Sequence, residues 1–97
     1  MRAPDLERLA TTYLDHALAG RDAEAVGSVL DPLVTRTVDL TTLYEGVLGP
    51  VAERVGELWH RSEISVADEH FVTQLNQRVI AVAVTLTTER TVTGGNP

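Results

Sequence analysis

Four side chains that could recognise a ligand lie between positions 59 and 70. Trp59 is the only tryptophan of the chain, His60 follows it directly, and nine residues separate Trp59 from the adjacent pair Glu69 and His70. An indole offers a large flat face to a planar ligand. A carboxylate accepts hydrogen bonds, and a neutral imidazole donates, accepts or binds a transition metal. With the small aliphatic Val66, this set suits a large ligand that has an apolar face, polar rim groups and an open axial metal position.

A catalytic use of the same residues is less well supported. A Glu–His pair can perform acid–base chemistry, but the sequence specifies neither a nucleophile nor a substrate pocket for it. A metal site built from His60, Glu69 and His70 is disfavoured, because Glu69 and His70 are adjacent on one predicted helix and point about 100° apart. We therefore expect a binding module and not an enzyme.

The apolar residues recur at helical spacing, which predicts four helices and no strands. The first helix is predicted from Asp5 to Ala19, with Gly20 ending it. The second is predicted to begin with Asp22 as its N-cap and to bend or end near Pro32.

The third and fourth helices carry the ligand-type residues. Asp39 or Thr41 is predicted to cap the third helix. Pro50 falls inside the apolar pattern of this helix, where a proline bends the axis. Ser65 is predicted to open the fourth helix, with Asp68 three residues on in a capping-box arrangement.

Short connections between amphipathic helices predict an all-α, antiparallel four-helix bundle. We expect the bundle to span residues 1–91 and residues 92–97 to form a flexible tail or the start of a linker. The predicted break between the last two helices covers only residues 61–64, which places Trp59 and Glu69 near one end of the bundle. The apolar residues predicted to face the core, in chain order, are Leu6, Leu9, Ala10, Tyr13, Leu14, Ala17, Leu18, Ala23, Val26, Val29, Leu30, Leu33, Leu40, Leu43, Tyr44, Val47, Leu48, Val51, Val55, Leu58, Trp59, Ala67, Phe71, Leu75, Val79, Val82 and Leu86.

Composition narrows the function classes further. The chain has 97 residues, of which 43% are hydrophobic and 23% charged, and its net charge is −6. Its eight basic residues are scattered, so we expect no direct contact with nucleic acid. The absence of cysteine excludes disulfides and thiolate metal sites. With no apolar signal segment and no stretch of roughly 18–20 apolar residues, we expect no membrane contact and a cytoplasmic location.

The residues around this cluster resemble the helical cap domain of cobalamin (B12)-binding proteins. Trp59, nine residues and then Glu69–His70 look like the Trp-x9-Glu-His signature of that cap. The run Glu-Ile-Ser-Val-Ala-Asp-Glu-His at positions 63–70 is also typical of the family. The similarity extends loosely over most of the chain, including Pro50, and is greatest to the caps of B12-dependent photoreceptor transcriptional regulators.

The resemblance implies a role for each candidate residue. Trp59 would stack over the upper face of adenosylcobalamin, Val66 would pack against the adenosyl group, and Glu69 would hydrogen-bond its ribose. His70 would lie beside this pocket. His60 occupies the position that, in such photoreceptors, can ligate cobalt as an upper axial ligand after light removes the adenosyl group.

The resemblance also implies a second domain. Complete cobalamin modules continue into a Rossmann-like domain whose Asp-x-His-x-x-Gly motif supplies the lower cobalt ligand, and that motif does not occur here. We expect either a fragment that ends at the linker or a cap whose Rossmann-like partner is supplied in cis or in trans, so that tight binding by this chain alone is not expected.

Two other interpretations stay open. The chain could be the cap of a corrinoid methyl-carrier protein, or a stand-alone acidic bundle that has lost cobalamin and serves in homo-oligomerisation or partner binding.

Overall fold

The computed structural model describes residues 5–95, with side chains through residue 88, and these residues form helices and no strands. The helical elements are α1, Leu6–Leu18; α2, Asp22–Val34; α3, Leu40–Leu43; a π-helical segment, Tyr44–Leu48; α4, Gly49–His60; and α5, Val66–Gly95. Because α3, the π segment and α4 follow one another without a break, four helical segments result. The predicted all-α bundle is confirmed, while the antiparallel order remains a prediction from the short connections.

The first three helical segments end in the same way. At Gly20, Arg36 and Ser62 the backbone is left-handed, with φ angles of 76°, 61° and 60°. In each case the N–H of that residue donates to the carbonyl three residues earlier, and the next N–H donates to the carbonyl five residues before it. This Schellman arrangement satisfies carbonyls at the helix end and favours glycine at the left-handed position. The chain supplies glycine at only the first of the three.

The core gathers between all four segments, since α1 packs on α2, α4 and α5, and α5 packs on α2 and α4. Tyr13 is fully buried in it, and its hydroxyl donates to Oδ1 of Asn76 at 2.6 Å. This bond joins α1 to α5 inside the bundle. Burial raises the pKa of Tyr13, so the phenol stays protonated and keeps donating.

Pro50 is the second residue of α4, one residue beyond the end of the π segment. A proline lacks an N–H, and in a regular helix its ring collides with the carbonyl four residues earlier. The preceding turn is widened here, because the N–H of Gly49 donates to the carbonyl of Tyr44, five residues before it. A π segment therefore precedes Pro50, and the predicted bend of the axis stays a prediction. Near Pro32 the helix ends as predicted, at Val34.

Four predicted positions in α2, the π segment and α4 need correction. Asp22 is the first residue of α2 and not its N-cap, which is Arg21 without a side-chain cap bond. Ala23 is exposed. Tyr44 and Trp59, both predicted on the inner face, are about half exposed, at 54% and 48%.

The inner face predicted for α5 is largely wrong. Leu75 and Val79 are buried as predicted, but Ala67, Phe71 and Val82 are exposed and Leu86 is half-buried. The stripe that α5 buries comprises Val72, Leu75, Asn76, Val79 and Ala83. Apolar residues occur around much of the circumference of this helix, so periodicity alone does not select the buried stripe, and the neighbouring helices decide it.

The C-terminal helix reaches further than the sequence pattern predicts. α5 extends to Gly95 and so includes most of the predicted tail, 92–97. Residues 96–97 lie outside the described residues, and the boundary of the bundle at residue 91 stays a prediction. Within the described chain, no helix is both long and apolar enough to cross a membrane.

Candidate functional site

A cleft of about 420 Å³ opens where α4 ends and α5 begins. Its lining combines an indole, an imidazole, a hydroxyl and two aliphatic side chains, from Trp59, His60, Ser62, Ile64 and Val66. These residues come from the last turn of α4, the connection and the first residue of α5. The cleft is therefore a product of how closely one helix follows the other.

Two local hydrogen-bond patterns hold this corner. The α4 end is closed by bonds from Ser62 N–H to the Trp59 carbonyl at 2.9 Å and from Glu63 N–H to the Leu58 carbonyl at 2.8 Å. The α5 start is closed by a reciprocal pair. Asp68 N–H donates to Ser65 Oγ at 3.0 Å, and Ser65 N–H donates to Asp68 Oδ2 at 3.1 Å. The predicted capping box is confirmed, and it sets the position of Val66 as the first residue of α5.

Trp59 presents its side chain to the cleft and not to the core. The inner face of α4 is formed by Val51, Val55 and Leu58. Trp59, one residue past Leu58, points away from that face and keeps 48% of its surface exposed. A large apolar side chain left this exposed next to a cleft provides a surface against which a flat ligand can stack.

Glu69 and His70 stand one turn along α5 from the cleft. Val66 and Glu69 are three residues apart on a helix and so share a face. The carboxylate of Glu69 is bound by its own helix: Thr73 Oγ1 donates to Oε1 at 3.2 Å, and His70 Nδ1 lies 3.3 Å from Oε2. The Glu69 side chain is 32% exposed. Its carboxylate is therefore held in place and still open to a ligand larger than the cleft.

The structure brings together part of the predicted site. Trp59, His60 and Val66 line one cleft, whereas Glu69 and His70 lie beside it and do not line it. Sequence reasoning missed the contributions of Ser62 and Ile64, which fall in the predicted break between helices. One signal in the sequence could have indicated Ser62. The helix that carries Trp59 ends with no glycine after it, so a residue with a side chain must take the left-handed position.

Thr73 is the other residue that the sequence reasoning missed. It stands four residues after Glu69 on α5, the spacing at which helical side chains meet. A threonine four residues after a glutamate on a predicted helix would have indicated the hydrogen bond between Thr73 and Glu69.

A larger groove lies elsewhere in the bundle. It measures about 650 Å³ and runs between α1 and α4, with the charged residues Glu7, Asp15 and Arg54 in its lining. None of the predicted site residues line it, and it holds no imidazole or indole. Chemistry rather than size therefore selects the cleft at Trp59 as the candidate site.

Among the described residues, no three His, Cys, Asp or Glu side chains are placed to hold a metal ion together. His60 contributes the only imidazole in the lining of the cleft.

Comparison with family models assigns the chain. Residues 10–83 match the B12 binding domain family, so more than half of the chain is covered, and the chain belongs to that family as a cobalamin-binding helical cap module. No curated protein and no solved structure matches the chain.

The residues of the cleft fit one face of a corrinoid. A corrinoid is a broad ring with an axial group above the metal and polar side chains at its rim. Trp59 offers a flat apolar surface, Val66 an aliphatic wall that is 53% exposed, and His60 a nitrogen ligand.

Proposed function

We propose that this module covers the upper axial face of adenosylcobalamin as part of a B12-dependent, light-sensing transcriptional regulator. The observation that carries the proposal is the joint placement of a half-exposed Trp59, His60 and Val66 in one cleft. A Rossmann-like domain, in cis or in trans, would hold the cofactor from below. In this proposal the module is cytoplasmic and non-catalytic, and it makes no direct contact with nucleic acid or membrane.

Each residue has a binding task in this proposal. Trp59 excludes water from the upper face of the cofactor and stacks on it. Val66 packs against the adenosyl group, whose removal from water favours binding. Glu69 accepts hydrogen bonds from the ribose hydroxyls with its carboxylate, which Thr73 already orients, and His70 borders the same pocket.

His60 is the residue that would connect this module to light sensing. Bound adenosylcobalamin supplies a light-sensitive cobalt–carbon bond. His60 is in the cleft with its imidazole exposed, and a neutral imidazole nitrogen is a good ligand for cobalt. We propose that His60 is the residue of this module that would supply a nitrogen ligand to cobalt after light has removed the adenosyl group.

The test is a visible-spectrum titration of adenosylcobalamin in the dark and after green light. It is run on this chain alone and on this chain with an added Rossmann-like cobalamin domain. Retention of the cofactor through gel filtration is the expected result when the Rossmann-like domain is present. If both mixtures release adenosylcobalamin and methylcobalamin alike, the module is a bundle that no longer binds cobalamin. Equal retention of the two corrinoids would instead favour the cap of a methyl carrier.

Two variants separate the proposed contacts. Glu69→Gln is expected to reduce the preference for adenosylcobalamin over methylcobalamin, because an amide replaces the charged acceptor of the ribose hydroxyls. An unchanged ratio would exclude that contact. His60→Ala is expected to bind adenosylcobalamin normally in the dark. After light, in the mixture with the Rossmann-like domain, it should lack the visible spectrum of cobalt that is bound by two imidazoles, one from each domain. If that spectrum persists, another residue is the ligand.

A further inference from the structure

Ser62 occupies a backbone conformation that serine disfavours. Among the described residues only Arg36 and Ser62 combine a side chain with a positive φ, at 61° and 60°. Both stand at the left-handed position of a Schellman end, the position at which Gly20 ends α1. A Cβ in this conformation crowds the following carbonyl, so glycine would fit better at either site. Helix termination alone therefore does not explain a serine at position 62.

The surroundings of Arg36 and Ser62 differ. Ser62 lines the cleft between Trp59 and Val66, whereas Arg36 lines none of the cavities described above. Residues held in sparsely populated backbone regions concentrate at binding sites, where the position of a side chain compensates for the strain.

The Ser62 hydroxyl also differs from the other serine hydroxyls. The chain has three serines. Ser28 Oγ donates to the Ala25 carbonyl at 2.7 Å, and Ser65 Oγ accepts the Asp68 N–H at 3.0 Å. Within the described residues the Ser62 hydroxyl has no hydrogen-bond partner, and Ser62 is an exposed residue in the lining of the cleft. It is thus a donor and acceptor that the bundle itself does not use.

We infer that Ser62 is a ligand-contacting residue of the cleft, whose hydroxyl hydrogen-bonds a polar group of the bound cofactor beside Trp59. The inference rests on the proposed function. The partner is an amide or a hydroxyl, and it belongs either to the corrin rim or to the adenosyl group. In this role the left-handed Ser62 makes the helix end less stable than glycine would, and its hydroxyl contributes a contact with the ligand.

The experiment compares Ser62→Gly, Ser62→Ala and Arg36→Gly with the wild-type chain. Each is measured for its melting temperature without cofactor and for its affinity for adenosylcobalamin and methylcobalamin. Affinity is measured under the condition in which the wild type retains cofactor, which is either the chain alone or the chain with the Rossmann-like domain. Arg36→Gly is the matched control, since it relieves the same backbone strain away from the cleft.

Opposite signs are expected for stability and binding at position 62. Both glycine variants should melt about 4–8 °C higher, because each relieves roughly one left-handed residue's strain. Ser62→Gly and Ser62→Ala should bind about three- to tenfold more weakly, the cost of one lost hydrogen bond. Arg36→Gly should bind like the wild type. Loss with both corrinoids assigns the partner to the rim, and loss with adenosylcobalamin alone assigns it to the adenosyl group.

Two different results would overturn the inference. If the wild type binds and Ser62→Ala binds equally well, the Ser62 contact does not exist while the proposed function stands. If the wild type retains neither corrinoid in either mixture, the proposed function is wrong and the Ser62 contact is wrong with it.

Discussion

Tyr13 and Trp59 are both large aromatic residues with a polar atom, and the bundle treats them in opposite ways. Tyr13 has no exposed surface, and its hydroxyl is paired with Asn76 across two helices. Trp59 keeps about half of its surface in contact with solvent, at the edge of a cleft. Around Tyr13 every neighbour is supplied by the chain, whereas around Trp59 one side is left open.

The difference separates stability from binding. A buried, paired aromatic contributes its full apolar surface to folding, so the fold depends on it. An exposed aromatic beside a hydroxyl and an imidazole contributes little to folding and has a surface left for a ligand. Substitutions around Tyr13 should therefore change stability first, and substitutions around Trp59 should change binding first.

The largest effect is expected from Tyr13→Ala. It should lower the free energy of unfolding by about 3–5 kcal/mol, because it opens a cavity and leaves Asn76 without its partner. Urea denaturation measures the loss. Tyr44→Ala is the control, since Tyr44 is the other tyrosine and is 54% exposed; it should stay within about 0.5 kcal/mol of the wild type. Similar losses for both would remove the contrast between core and surface.

Trp59→Ala should show the reverse pattern. We expect its free energy of unfolding to change by less than about 1 kcal/mol, because half of the side chain is already exposed. Cofactor affinity should fall about tenfold or more, as for an aromatic that forms the centre of a binding surface. Phe71→Ala is the control, since Phe71 is 38% exposed and lies outside the cleft. A large stability loss without an affinity loss would place Trp59 with the core.

The capping box is expected to have an intermediate effect. Ser65→Ala removes the acceptor for the Asp68 N–H and should cost about 1 kcal/mol. Thermal or urea unfolding measures it. Ser28→Ala is the matched control, because the Ser28 hydroxyl bonds a carbonyl inside α2 and alanine is the better helix former. If the two variants are equally stable, the α5 start does not depend on its cap.

The smallest effect is expected at Asp39, the N-cap of α3. Its side chain accepts the Thr42 N–H at 2.7 Å, and hydrogen bonds from Thr42 lower the pKa of Asp39 from its ordinary value of 3.8. A lowered folded pKa means that this stabilisation is complete above that ordinary value and is lost as the pH falls through the lower, folded value. Asp39→Asn still caps the helix, so stability at neutral pH should hardly change. Its acid-side loss of stability should be smaller than that of the wild type, and identical pH profiles would contradict the assignment.

Much of the fold follows from local signals. Asp5 is the N-cap of α1, and its side chain accepts the Arg8 N–H at 3.1 Å. This cap, the Asp39 cap, the Ser65–Asp68 capping box and the helix end at Gly20 all depend on residues within five positions of each other. Such bonds are available to a short stretch of chain whatever surrounds it. The brief break before Ser65 likewise places Trp59 near Val66 at one end of the bundle.

The sequence by itself determined that the chain is helical and where most helices begin and end, and it predicted that the ligand chemistry lies in the segment from Trp59 to His70. Only the tertiary structure decided which stripe of α5 is buried, that Trp59 faces a cleft, and that Ser62 lines it with an unused hydroxyl. The physical reason is the range of the interactions. Caps and periodicity act within a few residues, whereas burial depends on neighbours such as Tyr13, which meets Asn76 from 63 positions away.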